Sequence, residues 1–300
     1  MRNLYKSWRR YGRPFGSYLV LLAASGFTMT SVSLRLSAAT LPYLVNFATA
    51  KIGPHTNDGT NYELIDNNRT YYAASNGQYN APFLFSEGAY AGLSLEISVP
   101  TTSSGKAPNG THTDRFEYEW VQPDDTNAPT FNGKERYFGF AFKIIGSSQA
   151  PTNGGIIMAQ LWQGSPYAPP IRLDVKAPSL EGDPWPNRLF IQKSSTGQNT
   201  GDESFKLYDS TIPVDTWYTY VIGVQPGYHG DGHLELWVNG AQVVTYTGDV
   251  GYTPEADGGL TGTLASLMVK SGIYRNRGNP NVAFGFGTVK YGSTYSEAAP

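Results

Sequence analysis

The chain of 300 residues contains no cysteine. Thiol nucleophiles, thiolate metal sites and a disulfide framework are therefore all excluded. Charge is scarce too, at 15% of residues, with 22 Lys+Arg against 24 Asp+Glu. Such a balance offers no basic surface for nucleic acid or for an anionic membrane. Gly-x-Ser-x-Gly and the phosphate-binding glycine loops are missing, as are internal repeats, low-complexity tracts and any long run of helical periodicity. No apolar run spans a bilayer comfortably, because the stretch from Tyr18 to Phe27 is short and broken by Ser25 and Gly26.

What is present points to strands. The 34 Gly, 20 Pro and 14% aromatic residues favour many short strands joined by turns. Strand patterns are expected at Tyr43–Thr49, Leu93–Val99, Arg115–Val121, Tyr137–Ile145, Ile156–Trp162, Ile171–Val175 and Arg188–Gln192. A later set is expected at Trp217–Gln225, Gly232–Val238, Ala241–Thr247, Leu264–Tyr274 and Asn281–Tyr291, with Asn239-Gly240 as a two-residue hairpin turn. The expected fold is all-β: a jelly-roll sandwich of two antiparallel sheets with a concave substrate cleft, formed by one domain over residues 40–300.

Residues 1–39 read as a secretory signal peptide, with Arg2, Lys6, Arg9, Arg10 and Arg13 before the apolar core and small residues Ser37 and Ala39 after it. An uncleaved anchor is the alternative. Cleavage would remove six basic and no acidic residues, leaving 16 Lys+Arg against 24 Asp+Glu. The expectation is a secreted, extracellular, acidic and monomeric protein, whose anionic ligands would need a local basic cleft.

Three stretches could carry chemistry. In Met268–Asn276, alternation puts Lys270, Gly272 and Tyr274 on one face and Val269 and Ile273 on the other. A cation and a phenol ~13 Å apart, with a glycine between them, suit a flat floor for an acidic polysaccharide; an ordinary surface strand is the alternative. In His112–Trp120, Arg115, Glu117 and Glu119 share one face, Phe116, Tyr118 and Trp120 form a core face, and His112 stands at the strand mouth. In Ala159–Gln163, Gln160 and Trp162 share a face, the indole offering a stacking surface for a sugar ring. Gln160 needs a partner if buried. His229, Asp231 and His233 could hold a metal around a Gly-Asp-Gly turn, but a hairpin-like loop explains them equally.

Taken in order, Arg115-x-Glu117, Gln160-Leu161-Trp162 and Lys270-Ser271-Gly272-Ile273-Tyr274 resemble the jelly-roll polysaccharide lyases. That group includes the alginate lyases, the heparin lyase I type and the fungal glucuronan lyases. Trp162 stands where the alginate lyases carry histidine, and Glu119 where many carry a second arginine, so the glucuronan-lyase-like branch is favoured. The resemblance implies β-elimination at a uronic acid, giving 4,5-unsaturated products. It assigns His112, Gln160 and Tyr274 to catalysis and Arg115, Trp162, Lys270 and Arg275 to substrate binding. Gln160 would hydrogen-bond the substrate carboxyl; His112 would be the base with Tyr274 the acid, or Tyr274 would serve as both. Arg172, Lys193 and Arg277 could add subsite cations.

The expected partner is an anionic polysaccharide, with neither nucleic acid nor membrane. No cofactor is required by that chemistry, although Asp124, Asp125, Glu255 and Asp257 could hold a structural calcium. Two alternatives stay open: a glycoside hydrolase using Glu117 and Glu119, ~7 Å apart along one strand face, and a non-catalytic lectin on the same sandwich.

Overall fold

Period-two alternation of apolar and polar side chains builds this structure. Phe116, Tyr118 and Trp120 are buried on one face of their strand, which leaves Arg115, Glu117 and Glu119 for the other. The computed structural model describes residues 41–300 except 46, 55–61, 67–68, 77–78, 87–92, 104–111, 122–127, 130–133, 165–167, 194–202 and 253–265. The proposed leader, residues 1–39, lies outside the described residues. One compact unit takes in Ala38–Pro300.

In chain order the elements are β1 (Tyr43–Val45), β2 (Lys51–Pro54), β3 (Tyr62–Asp66), β4 (Arg69–Asn76), β5 (Phe83–Ser86), β6 (Leu93–Val99), β7 (Thr113–Val121), β8 (Arg136–Ile144) and β9 (Gly155–Trp162). There follow β10 (Ile171–Lys176), β11 (Trp185–Lys193), β12 (Glu203–Ile212), β13 (Tyr218–Gln225), β14 (Gly227–Val238), β15 (Ala241–Val250), β16 (Met268–Asn276), β17 (Val282–Gly292) and the single-turn helix α1 (Tyr295–Ala298). All pairings are antiparallel.

One sheet runs β15-β14-β13-β8-β17-β6-β5, with β1 added beside β17; the other runs β12-β11-β10-β9-β16-β7-β4-β3-β2. The inner faces of both sheets feed one hydrophobic core. Phe142 meets Phe284 edge-on at 4.9 Å and Phe140 stacks on Tyr220 at 5.5 Å, while Tyr118 packs on Trp120 at 5.5 Å. Each such ring removed from water contributes about 1.5–3 kcal/mol. A jelly-roll sandwich of two antiparallel sheets is what the sequence predicts.

The expected strands are found, with ends shifted by a few residues in several. Asn239 and Gly240 both take positive φ, 50° and 80°, as a tight hairpin turn requires. Strands β2 to β5 and β12 were not anticipated. Strand β12 is an edge strand on which, among the described side chains, only Ile212 is fully buried and Leu207 and Tyr208 half-buried, while Phe205 is exposed, so burial imposes no regular alternation on its sequence.

Candidate active site

The three motifs meet because β9, β16 and β7 are neighbours in the nine-stranded sheet. Register sets the rows on their outer face. Lys270 lies between Gln160 and Glu119, with Arg172 of β10 beyond Gln160 and Tyr72 of β4 beyond Glu119. Tyr274 lies between Ile157 and Arg115, and Gly272 is level with Glu117.

Glu117 and Gln160 belong to strands that flank β16, yet they touch. The Gln160 Nε2 donates to Glu117 Oε1 at 2.6 Å and Oε2 at 2.8 Å, with both side chains buried. Gly272 of β16 is level with Glu117, two residues on from Lys270, the register partner of Gln160, and carries no side chain to block the contact. A Cβ there would fall 2.2 Å from the Phe116 carbonyl oxygen and 2.6 Å from Glu117 Cα, so only glycine lets the strands close. One carboxylate subtends too narrow an angle for both amide hydrogens. One N–H is thus shared between its oxygens, and the second N–H and the carbonyl remain for another partner. Burial pushes the Glu117 pKa up, Lys270, Arg115 and the Gln160 hydrogen bond pull it back, and Glu119 adds to the rise.

Lys270 is 1% exposed and therefore needs its charge balanced. Its Nζ lies 2.7 Å from Glu119 Oε1 and 4.4 Å from the Trp162 ring centroid. Trp162 is half-buried, so its indole covers the ammonium as a cation–π partner. Arg115 lays its guanidinium 5.6 Å from the Tyr274 ring centroid, and its buried Nε has no hydrogen-bond partner among the described residues. Its charge nevertheless lies beside the Tyr274 ring on the outer face.

Beside Tyr274 a cleft of about 350 Å³ is lined by Arg172, Asp174, Lys176, Ile157 and Asn276, among others. Arg172 lies over the Phe190 ring at 4.7 Å and 3.6 Å from Asp174 Oδ2. Burial raises the Asp174 pKa to about 6, against the pull of Arg172, Lys176 and Arg188.

Of the predicted residues, Arg115, Gln160, Trp162, Lys270 and Tyr274 share this outer face. Arg275 does not. Alternation turns it inward, 2% exposed, where Nη2 donates to the Pro100 carbonyl at 2.6 Å, Nη1 donates to the Pro280 carbonyl, and Nε lies 4.0 Å from Asp114. Arg277 pairs with Asp114 at 3.4 Å. Both cations tie strands and loops together beneath the floor, and Arg275 also contributes to the lining of the cleft beside Tyr274.

His112 is exposed at the mouth of β7, where its carbonyl accepts from the Arg277 amide at 3.0 Å. Five residues separate it from Glu117, which the Gln160 amide reaches, or ~17 Å along an extended strand. Tyr274 and Gln160 are brought together far better. The Gln160 amide reaches the level of Gly272, two residues and ~7 Å from the level of Tyr274.

The Lys193 and His229 side chains lie outside the described residues, as do Asp124, Asp125, Glu255 and Asp257. The hydrolase alternative finds little support, because Glu117 is sealed beneath Gln160 and Glu119 is held by Lys270. Sequence reasoning missed the Glu117–Gln160 contact and Asp174. The spacing of Gly272 between two polar strands was the available signal for the first.

The sequence pattern described as "Polysaccharide lyase" matches residues 108–298, a span that includes all three motifs. A search of curated proteins finds no match. Among solved structures, the endo-β-1,4-glucuronan lyase of the fungus Trichoderma reesei aligns at 13% identity with a TM-score of 0.51, over 76% of this chain and 93% of that one. An alginate lyase of Klebsiella pneumoniae aligns at 14% identity and TM-score 0.48, over 73% and 87%. Another from Pseudomonas aeruginosa aligns at 17% identity and TM-score 0.45, over 69% and 85%. At such identities the first likeness speaks for the fold alone, and the other two add no argument.

Proposed function

The chain belongs to the polysaccharide lyase family, and from that premise we propose that it cleaves a uronic-acid polymer of the glucuronan kind by β-elimination. The observation that carries this reading is the convergence of Arg115, Gln160, Lys270 and Tyr274 on one face of three adjacent strands.

Elimination begins with loss of the C5 proton, which is acidic only while the adjacent carboxylate can take up charge. The carbanion is an enolate of that carboxylate, so donors and cations aimed there stabilise the transition state more than the ground state. The second N–H of Gln160 and the fields of Arg115 and Lys270 supply them. Glu117 holds the Gln160 amide in place. Tyr274, beside the Arg115 guanidinium on the same floor, can exchange a proton with the substrate. It takes the C5 proton as phenolate and returns a proton to the departing O4 oxygen, which is consistent for a syn elimination. The C5–H and C4–O bonds break as the C4=C5 double bond forms.

Trp162 is placed to stack a sugar ring, and Arg172 extends the cationic row toward a neighbouring subsite. A leader over residues 1–39 would carry the enzyme outside the cell, where such polymers are met; an N-terminus near residue 40 in the exported protein checks this. Tyr274→Phe tests the mechanism. It should lower turnover by about 10²–10⁴-fold while polymer binding persists. Undiminished turnover would remove Tyr274 from the chemistry.

A further inference from the structure

On the outer face of the other sheet, remote from the motifs above, three metal-ligating side chains converge. His233 and Glu235 are two residues apart on β14 and so share a face, while Leu234 and Leu236 between and beyond them are buried in the core. Glu135 immediately precedes β8 and reaches them across β13. One ligand atom from each of Glu135, His233 and Glu235 lies within 4.8 Å of the others. His233 Nε2 and Glu235 Oε1 are 3.4 Å apart. That separation is close to the ~3.3 Å edge of a tetrahedron of N/O ligands about zinc at ~2.0–2.1 Å.

A second observation shows that the site is built. Tyr137 lies across β13 to reach the same point, its hydroxyl donating to Glu235 Oε2 at 3.3 Å. It can do so only because β13 carries Gly223 beneath it: a Cβ there would meet the Tyr137 ring at 2.6 Å. Gln242 braces Glu235 from the far side, its Nε2 donating to Oε1 at 2.8 Å.

We propose that Glu135, His233 and Glu235 form a divalent transition-metal site of the zinc class, which staples β8 to β14 over β13. The imidazole nitrogen selects zinc-like ions over calcium or magnesium, which take oxygen ligands. Three protein donors leave a fourth position for water, and all three are half-buried, so an ion can enter. His233 turns toward Glu235, while the expected grouping with His229 and Asp231 includes a side chain outside the described residues.

The test is thermal melting of the chelator-stripped full chain with ZnCl2 or CaCl2. At a hundredfold excess over a micromolar dissociation constant, zinc should raise Tm by about 5–10 °C, and calcium should not. His233→Gln should abolish the zinc shift while keeping lyase turnover, since the site lies on the opposite sheet from Tyr274. Competition with a chromophoric chelator should show one zinc bound per chain. The same zinc shift in both His233→Gln and Glu235→Gln, or no zinc uptake by the wild-type chain, would overturn the proposal.

Discussion

Glu117→Gln is the most informative single substitution in the catalytic floor. Glu117 is 0% exposed and its two oxygens accept from Gln160 at 2.6 and 2.8 Å. The replacement keeps the volume and removes the charge, so the hydrogen bond to Gln160 passes from charge-assisted to neutral. That change is worth about 1–2 kcal/mol. A competing effect runs the other way: Arg115 and Lys270 then face Glu119 alone, which strengthens their pull on an anionic polymer. The expected result is a fall in kcat of about 5- to 30-fold, with KM unchanged or lower. The assay is the initial rate of double-bond absorbance on a soluble polyuronate, paired with a melting curve to confirm folding. Had Glu117 been the acid or nucleophile of a hydrolase, the loss would pass about 10³-fold with KM unchanged. That outcome would refute the positioning role, and so would a variant with wild-type kinetics.

Two further predictions concern stability. Gly272→Ala forces a Cβ to within 2.2 Å of the Phe116 carbonyl oxygen; the cost should be about 1–3 kcal/mol, or a Tm drop of about 3–10 °C, and an unchanged Tm would contradict the close approach. Asp174 has its pKa raised from 3.8 to about 6. A raised acid favours folding below its unfolded pKa and loses that contribution as pH climbs through the folded value. Asp174→Asn should therefore gain up to about 3 kcal/mol over wild type at pH 8 and only about 0.5 kcal/mol at pH 4. Melting curves showing the same difference at both pH values would count against this.

The fold was legible because the buried strands alternate. Strand β7 shows its core face in Phe116, Tyr118 and Trp120, and Leu93–Val99 is found with the bounds its sequence predicts. Edge strand β12 was not legible, since its core contacts are confined to Leu207, Tyr208 and Ile212 and follow no period of two. Within the site, the shared face of Lys270, Gly272 and Tyr274 followed from period two alone. The contact of Glu117 with Gln160 did not, because it depends on which strand separates them and on the pairing register. Arg275 was legible only in part: a charged residue beside Tyr274 invites a binding role, whereas alternation sends its guanidinium beneath the sheet to Asp114 and main-chain carbonyls. His112 followed the order of the motifs along the chain, but order does not convey the distance that β7 puts between it and Gln160.

The central claim is elimination from a uronic-acid polymer, and its most direct test is ultraviolet absorbance of the purified protein with glucuronan, polymannuronate, polyguluronate, heparin and hyaluronan. Elimination leaves a C4–C5 double bond conjugated to the carboxylate, which absorbs where the intact sugar does not. The account predicts a rise that is largest with glucuronan and that Tyr274→Phe removes. New reducing ends without any rise in absorbance would contradict it.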